Sequence, residues 1–398
     1  MASTLSSLLD IEHEHDNKNE LNDKYIFYLT NITENSTNET YDELPDPSFY
    51  SMYYRIIGTI FQGFIFMTGA LGNIMVVLVV LRTRSMHSPT NCYLVSLSIA
   101  DLMVLIASVP NEILSYFLLG DEWIWGRVGC ALFIFLQYLG INASSLSITA
   151  FTIERYIAIC HPMRAQMVCT VSRAKKIIIG VWVFACIYCS PWLFLTKIKS
   201  IFYKGYSNKE TCTFALSRKH YLGYFFADLI IFYILPLLLS CILYSLIARI
   251  LFSNEIPKNP ENGSNQASVS KRTNSMNARI QVVKMLAVIV AVFATLWLPY
   301  RVLVVYNSFA KQRYMEPWFL MFCKTMIFIN SAINPILYNA MSVKFRRAFA
   351  RMLSCNQRDQ GFRGPYGSVA GSVRFNPSIL TTTVSRTESY RMEQLQHL

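Results

Sequence analysis

The segment MEPWFLMFCKTMIFINSAINPILYNAM, residues 315–341, is apolar along most of its length but carries the run Asn334-Pro335-Ile336-Leu337-Tyr338 near its end. A bilayer-spanning helix needs about 20 predominantly apolar residues. Six similar segments precede this one, and several contain polar side chains, most clearly Asn73, Asp101 and the run Glu154-Arg155-Tyr156. A charge at mid-bilayer costs roughly 2.5–3.5 kcal/mol on insertion scales, so these residues indicate work inside a helical bundle.

The composition also favours a membrane protein. Of the 398 residues, 53% are hydrophobic and only 15% are charged, whereas soluble domains carry about 25% charged residues. The formal net charge is +12, but the basic residues are scattered through the connecting segments, which excludes a nucleic-acid interface. The sequence contains no P-loop, no metal-ligand spacing and no nucleophile–base set, so we predict that the protein is not an enzyme.

The hydropathy pattern predicts an all-α membrane protein, a seven-transmembrane helix bundle over residues 55–341. Several of the segments exceed 20 residues and are expected to tilt or to project beyond the bilayer. We number them spans 1 to 7, and their predicted limits are 55–81, 91–118, 127–160, 174–195, 222–251, 280–307 and 315–341.

Basic residues predict the orientation, because cytoplasmic loops are enriched in Lys and Arg. They follow spans 1 and 7 and fill the loops between spans 3 and 4 and between spans 5 and 6, for example Arg82, Arg173, Arg279 and Arg346. The loop after span 4 is also basic and argues the other way. The majority of the basic connecting segments predict a multi-pass plasma-membrane protein with an extracellular N-terminus and a cytoplasmic C-terminus.

The N-terminal residues 1–54 are polar and acidic, which predicts a disordered extracellular tail. Three acceptor sequons cluster there, at Asn31, Asn35 and Asn38, and predict glycosylation. Two cysteines, Cys130 and Cys212, fall in predicted outer segments, where they could oxidise, and we predict a disulfide bond between them.

After span 7, residues 342–355 have apolar side chains at helical spacing opposite a basic face, which predicts a short amphipathic juxtamembrane helix lying on membrane lipid. Cys355 at its end is either a palmitoylation site or a plain cytosolic thiol. Residues 356–398 are predicted to be a disordered cytoplasmic tail. Its hydroxyl-rich stretch Thr381–Ser389 is expected to be phosphorylated.

One polar motif in each span, in this order, makes the sequence similar to the rhodopsin-like G-protein-coupled receptors. Within that family, long stretches such as residues 137–145 and 148–162 resemble the thyrotropin-releasing hormone receptors. The motifs are Gly72-Asn73, Leu97-Ser98-Ile99-Ala100-Asp101, Glu154-Arg155-Tyr156, Trp182, Pro236 with Tyr244, Trp297-Leu298-Pro299-Tyr300, and Asn334 to Tyr338.

The resemblance implies a receptor for a short amidated neuropeptide, thyrotropin-releasing hormone or a relative, that signals through a Gq-type G protein to phospholipase C and calcium. A rhodopsin-like receptor for an unrelated peptide is the alternative. Residue by residue, the implied ligand contacts are Tyr138 and Asn142 in span 3, Tyr300, Arg301 and Asn307 in span 6, and Lys324 in span 7. Tyr138 and Asn142 are four residues apart and therefore share one helix face.

Two positions depart from the pattern of these hormone receptors. Lys324 stands where they have an arginine that holds the terminal amide of the ligand, and lysine lacks the planar fork of a guanidinium. Phe214 stands where a tyrosine is expected. Both departures put the identity of the peptide in doubt.

The resemblance also implies a switch that links the ligand site to the cytoplasmic side. Trp297 and the Pro299 kink would convert ligand binding into movement of span 6, and Glu154 would hold Arg155 until it is released to meet Tyr244 and Tyr338. Asp101 has two interpretations. With Ser144, Asn330, Ser331 and Asn334 it could coordinate a sodium ion, or a neutral Asp101 could hydrogen-bond to Asn73 and Asn334. No other cofactor is expected.

Two other seven-helix interpretations fail on particular residues. A retinal protein needs a Schiff-base lysine deep in span 7, but the opsin position is Phe328 here and Lys324 lies a turn nearer the outside. A transporter would favour paired broken helices or internal repeats, and neither is apparent.

The sequon cluster generates a first prediction. If the N-terminus is extracellular, surface protein should carry glycans on one or more of Asn31, Asn35 and Asn38. A glycosidase digest should then sharpen the gel band of the surface protein and lower its apparent mass. A variant with all three residues changed to Gln is the control, because its band should not respond. An unchanged band for the wild-type protein would contradict the predicted orientation.

Overall fold

A computed structural model describes residues 44–216, 218–253 and 266–353. Within these ranges seven helices are long and apolar enough to span a membrane, which confirms the predicted fold class. Spans 1 to 4 are Met52–Arg82, Pro89–Ser115, Gly126–Cys160 and Val171–Cys189. Span 5 combines Arg218–Leu229, Ile230–Ile234 and Leu235–Ser253, span 6 is Gln266–Phe309, and span 7 is Pro317–Met341.

Local sequence explains where several spans begin. Ser88 and Glu316 each accept a hydrogen bond from a backbone N–H in the first turn of the following helix, and a proline then occupies the first helical position, at Pro89 and Pro317. This combination satisfies one of the unpaired N–H groups and removes another. Ser51 caps span 1 in the same way. The helix starts are thus encoded by capping side chains as well as by hydropathy.

Span 5 is interrupted by one π-helical turn, Ile230–Ile234. Pro236 follows two residues later and cannot donate a backbone hydrogen bond. Such π turns inside α-helices are frequent at functional sites. Two buried aromatic side chains of the turn, Phe232 and Tyr233, point into the bundle, and the Tyr233 hydroxyl donates to the carbonyl of Ala294 in span 6 at 2.9 Å.

Short elements connect the spans. A loop helix, Pro162–Val168, joins spans 3 and 4, and single turns follow spans 1 and 4 at Arg84–Met86 and Ser190–Leu193. Strands β1, Thr196–Ile201, and β2, Lys209–Phe214, form an antiparallel hairpin between spans 4 and 5. We therefore speak of the hairpin end of the bundle and of the opposite end.

The predicted pair of cysteines is joined in the structure. Cys130, in the first turns of span 3, forms a disulfide bond with Cys212 of β2. Cys212 lies opposite Ile198 in the hairpin, and both cysteines are fully buried. The covalent bond therefore fixes the hairpin to the start of span 3.

After span 7 the chain continues into the helix Val343–Leu353, where the sequence predicts a surface helix. Phe345 on its apolar face is buried and packs edge-on against Tyr338 of span 7, with ring centroids 6.0 Å apart. The predictions for residues 1–43, for Cys355 and for Thr381–Ser389 lie outside the described residues.

Span 1 shows how the bundle buries small residues and exposes large ones. Phe61, Phe64 and Leu71 form an exposed apolar stripe, as expected for a face turned to lipid. On the opposite face, a Cβ atom added at Gly69 would lie 2.7 Å from Cβ of Ala332 and 2.8 Å from Cδ1 of Leu105. Small residues at such positions let membrane helices approach closely.

A matched pair of glycine variants tests this packing. Gly69→Ala should lower the melting temperature of the detergent-solubilised protein, because overpacking typically costs about 1–3 kcal/mol. Gly63→Ala is the control, since a Cβ there would have no atom within 4 Å. Equal melting temperatures for the two variants would mean that spans 1, 2 and 7 do not pack as described.

Candidate functional site

A cleft lies among spans 3, 5 and 6 at the hairpin end of the bundle. Three of the six predicted ligand contacts, Tyr138, Tyr300 and Arg301, are in its wall. Aromatic and aliphatic side chains supply most of the remaining wall, a composition typical of small-molecule and peptide sites. The other lining residues are Ile141, Phe225, Phe226, Asp228, Leu229, Trp297, Val304, Val305 and Ser308.

Arg301 is held in place by span 5 and by aromatic rings. Its Nη1 lies 2.9 Å from Oδ2 of Asp228, and both side chains are largely buried. The guanidinium also lies over the ring of Trp297, 5.0 Å from the centroid, and over that of Tyr233 at 5.8 Å. An arginine stacked on aromatic faces gains cation–π attraction in addition to its ion pair. Arg301 therefore connects spans 5 and 6.

Three buried polar atoms in the cleft wall have no hydrogen-bond partner among the described residues. They are Oδ1 of Asp228, Nε of Arg301 and Nε1 of Trp297. Buried polar groups are nearly always paired in native proteins, so each one left unpaired calls for a ligand or water. The wall offers one acceptor and two donors to a polar molecule in the cleft.

Tyr138 and Asn142 lie on one face of span 3, as predicted, but in different surroundings. Tyr138 lines the cleft and stacks on Trp192, with ring centroids 4.7 Å apart. Asn142 is completely buried outside the lining of the cleft, and its Nδ2 donates to Sγ of Cys189 at 3.4 Å. Its Oδ1 is buried without a described partner, so an acceptor is left unused one turn below Tyr138.

Asn307 and Phe214 support the surroundings of the cleft. Asn307 donates to the backbone carbonyl of Tyr314 at 3.0 Å and accepts from the Tyr314 N–H at 2.8 Å, and so orders the loop after span 6. Phe214 is buried and packs edge-on against Trp192. Neither residue is in the lining of the cleft.

Lys324 lies outside the lining of the cleft and is paired. Its Nζ is 2.7 Å from Oε1 of Glu112 in span 2, and each residue is 3% exposed. The Tyr116 hydroxyl donates to the same carboxylate oxygen at 3.3 Å. The cation predicted to meet a ligand is therefore neutralised by an acid of the same chain.

Asp101 forms the centre of a buried polar network in the middle of the bundle. Its Oδ2 accepts from Nδ2 of Asn334 at 2.7 Å, and its Oδ1 accepts from Oγ of Ser144 at 3.2 Å. Asn73 donates to the backbone carbonyl of Ser331 at 2.9 Å, so the network joins spans 1, 2, 3 and 7. The carboxylate of Asp101 and the hydroxyl of Ser144 are oxygen groups of the kind that a hard cation such as sodium prefers.

At the opposite end of the bundle the predicted switch residues Glu154, Arg155 and Tyr244 are only partly bonded. Among the described residues Arg155 forms no ion pair with Glu154, and Nε of Arg155 and Oε1 of Glu154 are buried without partners. Tyr244 hydrogen-bonds to Oγ1 of Thr152 at 3.4 Å. Tyr338 is fully buried, and its hydroxyl has no partner in the part of the chain that the structure describes.

A cysteine in the adjacent loop reaches this region. Burial, together with a hydrogen bond to Glu154, raises the pKa of the Cys169 thiol to about 11. The thiol therefore stays protonated at neutral pH. Cys169 follows the loop helix, so the loop between spans 3 and 4 lies beside Glu154 and Arg155.

The sequence interpretation missed the two acids that pair with its predicted cations. Asp228 and Glu112 both lie inside apolar spans. The argument that singled out Asp101 applies equally to them, because an acid in hydrocarbon needs a partner. Their position inside apolar spans therefore indicates that each acid has a buried partner. It does not identify the cation with which each acid pairs.

Comparisons with known proteins agree with the motifs. Residues 72–338 match the family 7 transmembrane receptor (rhodopsin family). The chain is 47% identical over 381 residues to the thyrotropin-releasing hormone receptor of Gallus gallus, which covers 90% of this chain and 95% of that receptor. The human thyrotropin-releasing hormone receptor is 47% identical over 368 residues, with coverage of 88% and 90%. Neuromedin-U receptor 2 of Rattus norvegicus is 32% identical over 377 residues, with coverage of 90% and 89%.

The pairing of Arg301 generates a prediction. Asp228→Asn should markedly lower the melting temperature of the solubilised protein, because removing one partner of a buried ion pair typically costs about 3–5 kcal/mol. Glu122→Gln is the control, since its ion pair with Lys209 in the hairpin is more exposed and is expected to contribute about 0–1 kcal/mol.

A double variant separates loss of the pair from loss of the charge. Asp228→Asn combined with Arg301→Gln should recover much of the stability, because no unpaired charge stays buried. If the Asp228→Asn and Glu122→Gln variants had equal melting temperatures, the described pairing of Arg301 would be contradicted.

Proposed function

Because this chain belongs to the rhodopsin family of seven-transmembrane receptors, we propose that it is a G-protein-coupled receptor for a short amidated peptide, thyrotropin-releasing hormone or a relative. A receptor of this family is a multi-pass protein of the plasma membrane and not an enzyme. The hairpin end is proposed to face the outside of the cell. The Cys130–Cys212 disulfide bond supports this orientation, since such bonds persist in oxidising compartments.

One observation carries the proposal. The cleft at the hairpin end combines aromatic walls with unpaired buried polar atoms of Asp228, Arg301 and Trp297. A short peptide with blocked, uncharged ends has the same mixture of apolar surface and amide groups. Tyr138 and Tyr300 provide hydroxyl groups in the same wall. The receptors of similar sequence named for thyrotropin-releasing hormone direct the choice toward this class of peptide.

Activation is proposed to run from the cleft to the opposite end along span 6. A peptide that contacts Tyr138 and Asn142 of span 3, Tyr300 and Arg301 of span 6, and Lys324 of span 7 draws these three spans together. Trp297 contacts both Tyr300 and the Arg301 guanidinium, so it senses the occupied cleft. Pro299 lies two residues further on inside the helix and permits bending there.

The response is proposed to end at the switch residues. Outward movement of span 6 opens space in which Arg155 meets Tyr244 and Tyr338, and the loops after spans 3 and 5 then accept the G protein. The peptide can drive this change only through its higher affinity for the active arrangement. Signalling is proposed to use a Gq-type G protein, phospholipase C and calcium, followed by arrestin recruitment to the phosphorylated stretch Thr381–Ser389.

Asp101 is proposed to act as a polar switch between spans 2, 3 and 7. Its two oxygens already hold Asn334 and Ser144, so movement of either span requires these bonds to exchange. A bound sodium ion would add positive charge and favour the arrangement in which the oxygens of Asp101 and Ser144 converge. Replacement of external sodium by choline distinguishes an ion-dependent switch from a neutral network.

The contact residues yield a direct test. Tyr138→Phe, Asn142→Ala and Lys324→Ala should each reduce agonist potency about 5- to 150-fold, because one lost buried polar contact is worth roughly 1–3 kcal/mol. The measurement is a calcium dose–response to thyrotropin-releasing hormone in transfected cells, with each variant matched for surface expression.

Tyr306→Phe is the matched control for Tyr138→Phe. It too removes a single tyrosine hydroxyl near the hairpin end, but Tyr306 lies on an exposed face of span 6. Its potency should equal that of the wild type. Unchanged potency in all three contact variants would place the ligand elsewhere. A hormone response that proceeds through a different G protein would leave the contacts intact and contradict only the proposed coupling to Gq.

A further inference from the structure

A second polar site lies between spans 1, 2 and 7, next to the cleft. Glu112 and Lys324 form its centre, with 2.7 Å between Nζ and Oε1, and Tyr116 donates to the same oxygen. Gln62 of span 1 donates to Oγ1 of Thr325 at 3.3 Å, while its own Oε1 is buried without a described partner. Both charged groups and Gln62 are almost completely buried.

Stability alone does not explain this ion pair. Taking two charges out of water costs about as much as their attraction returns, so apolar residues of similar volume are often as stable. The pair also needs supporting contacts. Tyr116 packs against Gly58, where an added Cβ would lie 2.6 Å from its ring, and against Tyr54 at 5.2 Å between ring centroids. The surrounding residues are shaped to hold the carboxylate in position.

The pair presents a hydrogen-bond donor beside an acceptor. An ammonium group has three N–H donors and a carboxylate accepts at both oxygens, so neither is exhausted by one Nζ–Oε1 contact. A primary carboxamide has the complementary arrangement, since its carbonyl accepts and its NH₂ group donates. A carboxylate has acceptors only, and it would bring a second negative charge next to Glu112 in a medium of low dielectric constant.

We propose that Glu112 is a specificity-determining residue of the receptor, which with Lys324 selects a peptide that ends in a carboxamide over the same peptide that ends in a carboxylate. The carboxamide nitrogen donates to Glu112 while its oxygen accepts from Lys324. This inference rests on the proposed function and extends it to a residue of span 2.

The position of the pair relative to the cleft agrees with this role. Tyr300, in the wall of the cleft, lies close enough to Cys323, the residue before Lys324, for the two side chains to interact electrostatically. A peptide that contacts Tyr300 therefore needs to extend toward span 7 to reach the pair. Closure of spans 6 and 7 around the ligand brings Lys324 and Glu112 to its terminal group.

The test compares thyrotropin-releasing hormone with its free-acid form in calcium dose–responses. The wild type should prefer the amide. In Glu112→Gln the Lys324 ammonium group loses its counter-charge and can pair with the carboxylate of the free-acid peptide. The half-maximal concentration of the acid divided by that of the amide should therefore fall about tenfold or more. Glu122→Gln removes an acid from the more exposed ion pair with Lys209 and should leave the ratio unchanged. Surface expression is measured for each variant.

The outcomes separate the inference from the proposed function. No response of the wild type to either form contradicts the proposed ligand, and the inference with it. A wild type that responds to the amide and a Glu112→Gln variant with an unchanged ratio contradict the inference alone.

A second measurement needs no variant, in case Glu112→Gln does not reach the surface. The N-methylamide and the methyl ester of the same peptide have nearly the same shape, but only the amide has an N–H donor. The ester should be about tenfold weaker on the wild type because its oxygen cannot donate to Glu112. Equal potency of the two would overturn the proposal.

Discussion

Charges inside the bundle must be paired there, because hydrocarbon cannot solvate them, and this constraint accounts for much of the helix arrangement. Arg301 meets Asp228, Lys324 meets Glu112, and Asp101 is held by Asn334 and Ser144. The first contact joins span 5 to span 6, the second joins span 2 to span 7, and the third joins span 2 to spans 3 and 7. The network fixes which helices are neighbours more specifically than apolar packing does, since lipid tails are as apolar as the side chains that face them.

The same constraint explains how a small peptide can influence a large bundle. The buried atoms of Asp228, Arg301 and Trp297 without partners are sites where one hydrogen bond is worth more than it would be in water. A ligand that supplies those bonds in only one arrangement of spans 3, 5 and 6 favours that arrangement by the difference in binding free energy. The π turn of span 5 faces span 6 at this level, through the bond from Tyr233 to Ala294.

Hydropathy and motifs were sufficient to predict the seven spans and the presence of Asp101, Trp297 and Tyr338 in them. Residue spacing also placed Tyr138 and Asn142 on one face of span 3. It could not identify partners on other spans. Glu112 and Lys324 are 212 positions apart, and Asp228 and Arg301 are 73 apart. Helical periodicity gives the direction of a side chain relative to its own helix, but the neighbouring helix depends on packing of the whole bundle.

The role of Asn307 illustrates the same limit on a smaller scale. From the sequence, a polar residue near the hairpin end of span 6 is equally compatible with ligand contact and with loop capping. Only the structure shows that the NH₂ group and the carbonyl oxygen of the Asn307 side chain both bond to the backbone of Tyr314 in the loop. For Lys324, the sequence indicated a ligand contact, and the structure shows a pair with Glu112 of span 2. Considered alone, lysine lacks the planar fork by which an arginine binds two acceptors at once.

Considered with Glu112, Lys324 is half of a unit that provides a donor and an acceptor side by side. A guanidinium at the same position would still be neutralised by Glu112, and its additional N–H groups would compete with Tyr116 for the same carboxylate oxygen. The effect of Lys324 on ligand choice therefore depends on the acid in span 2.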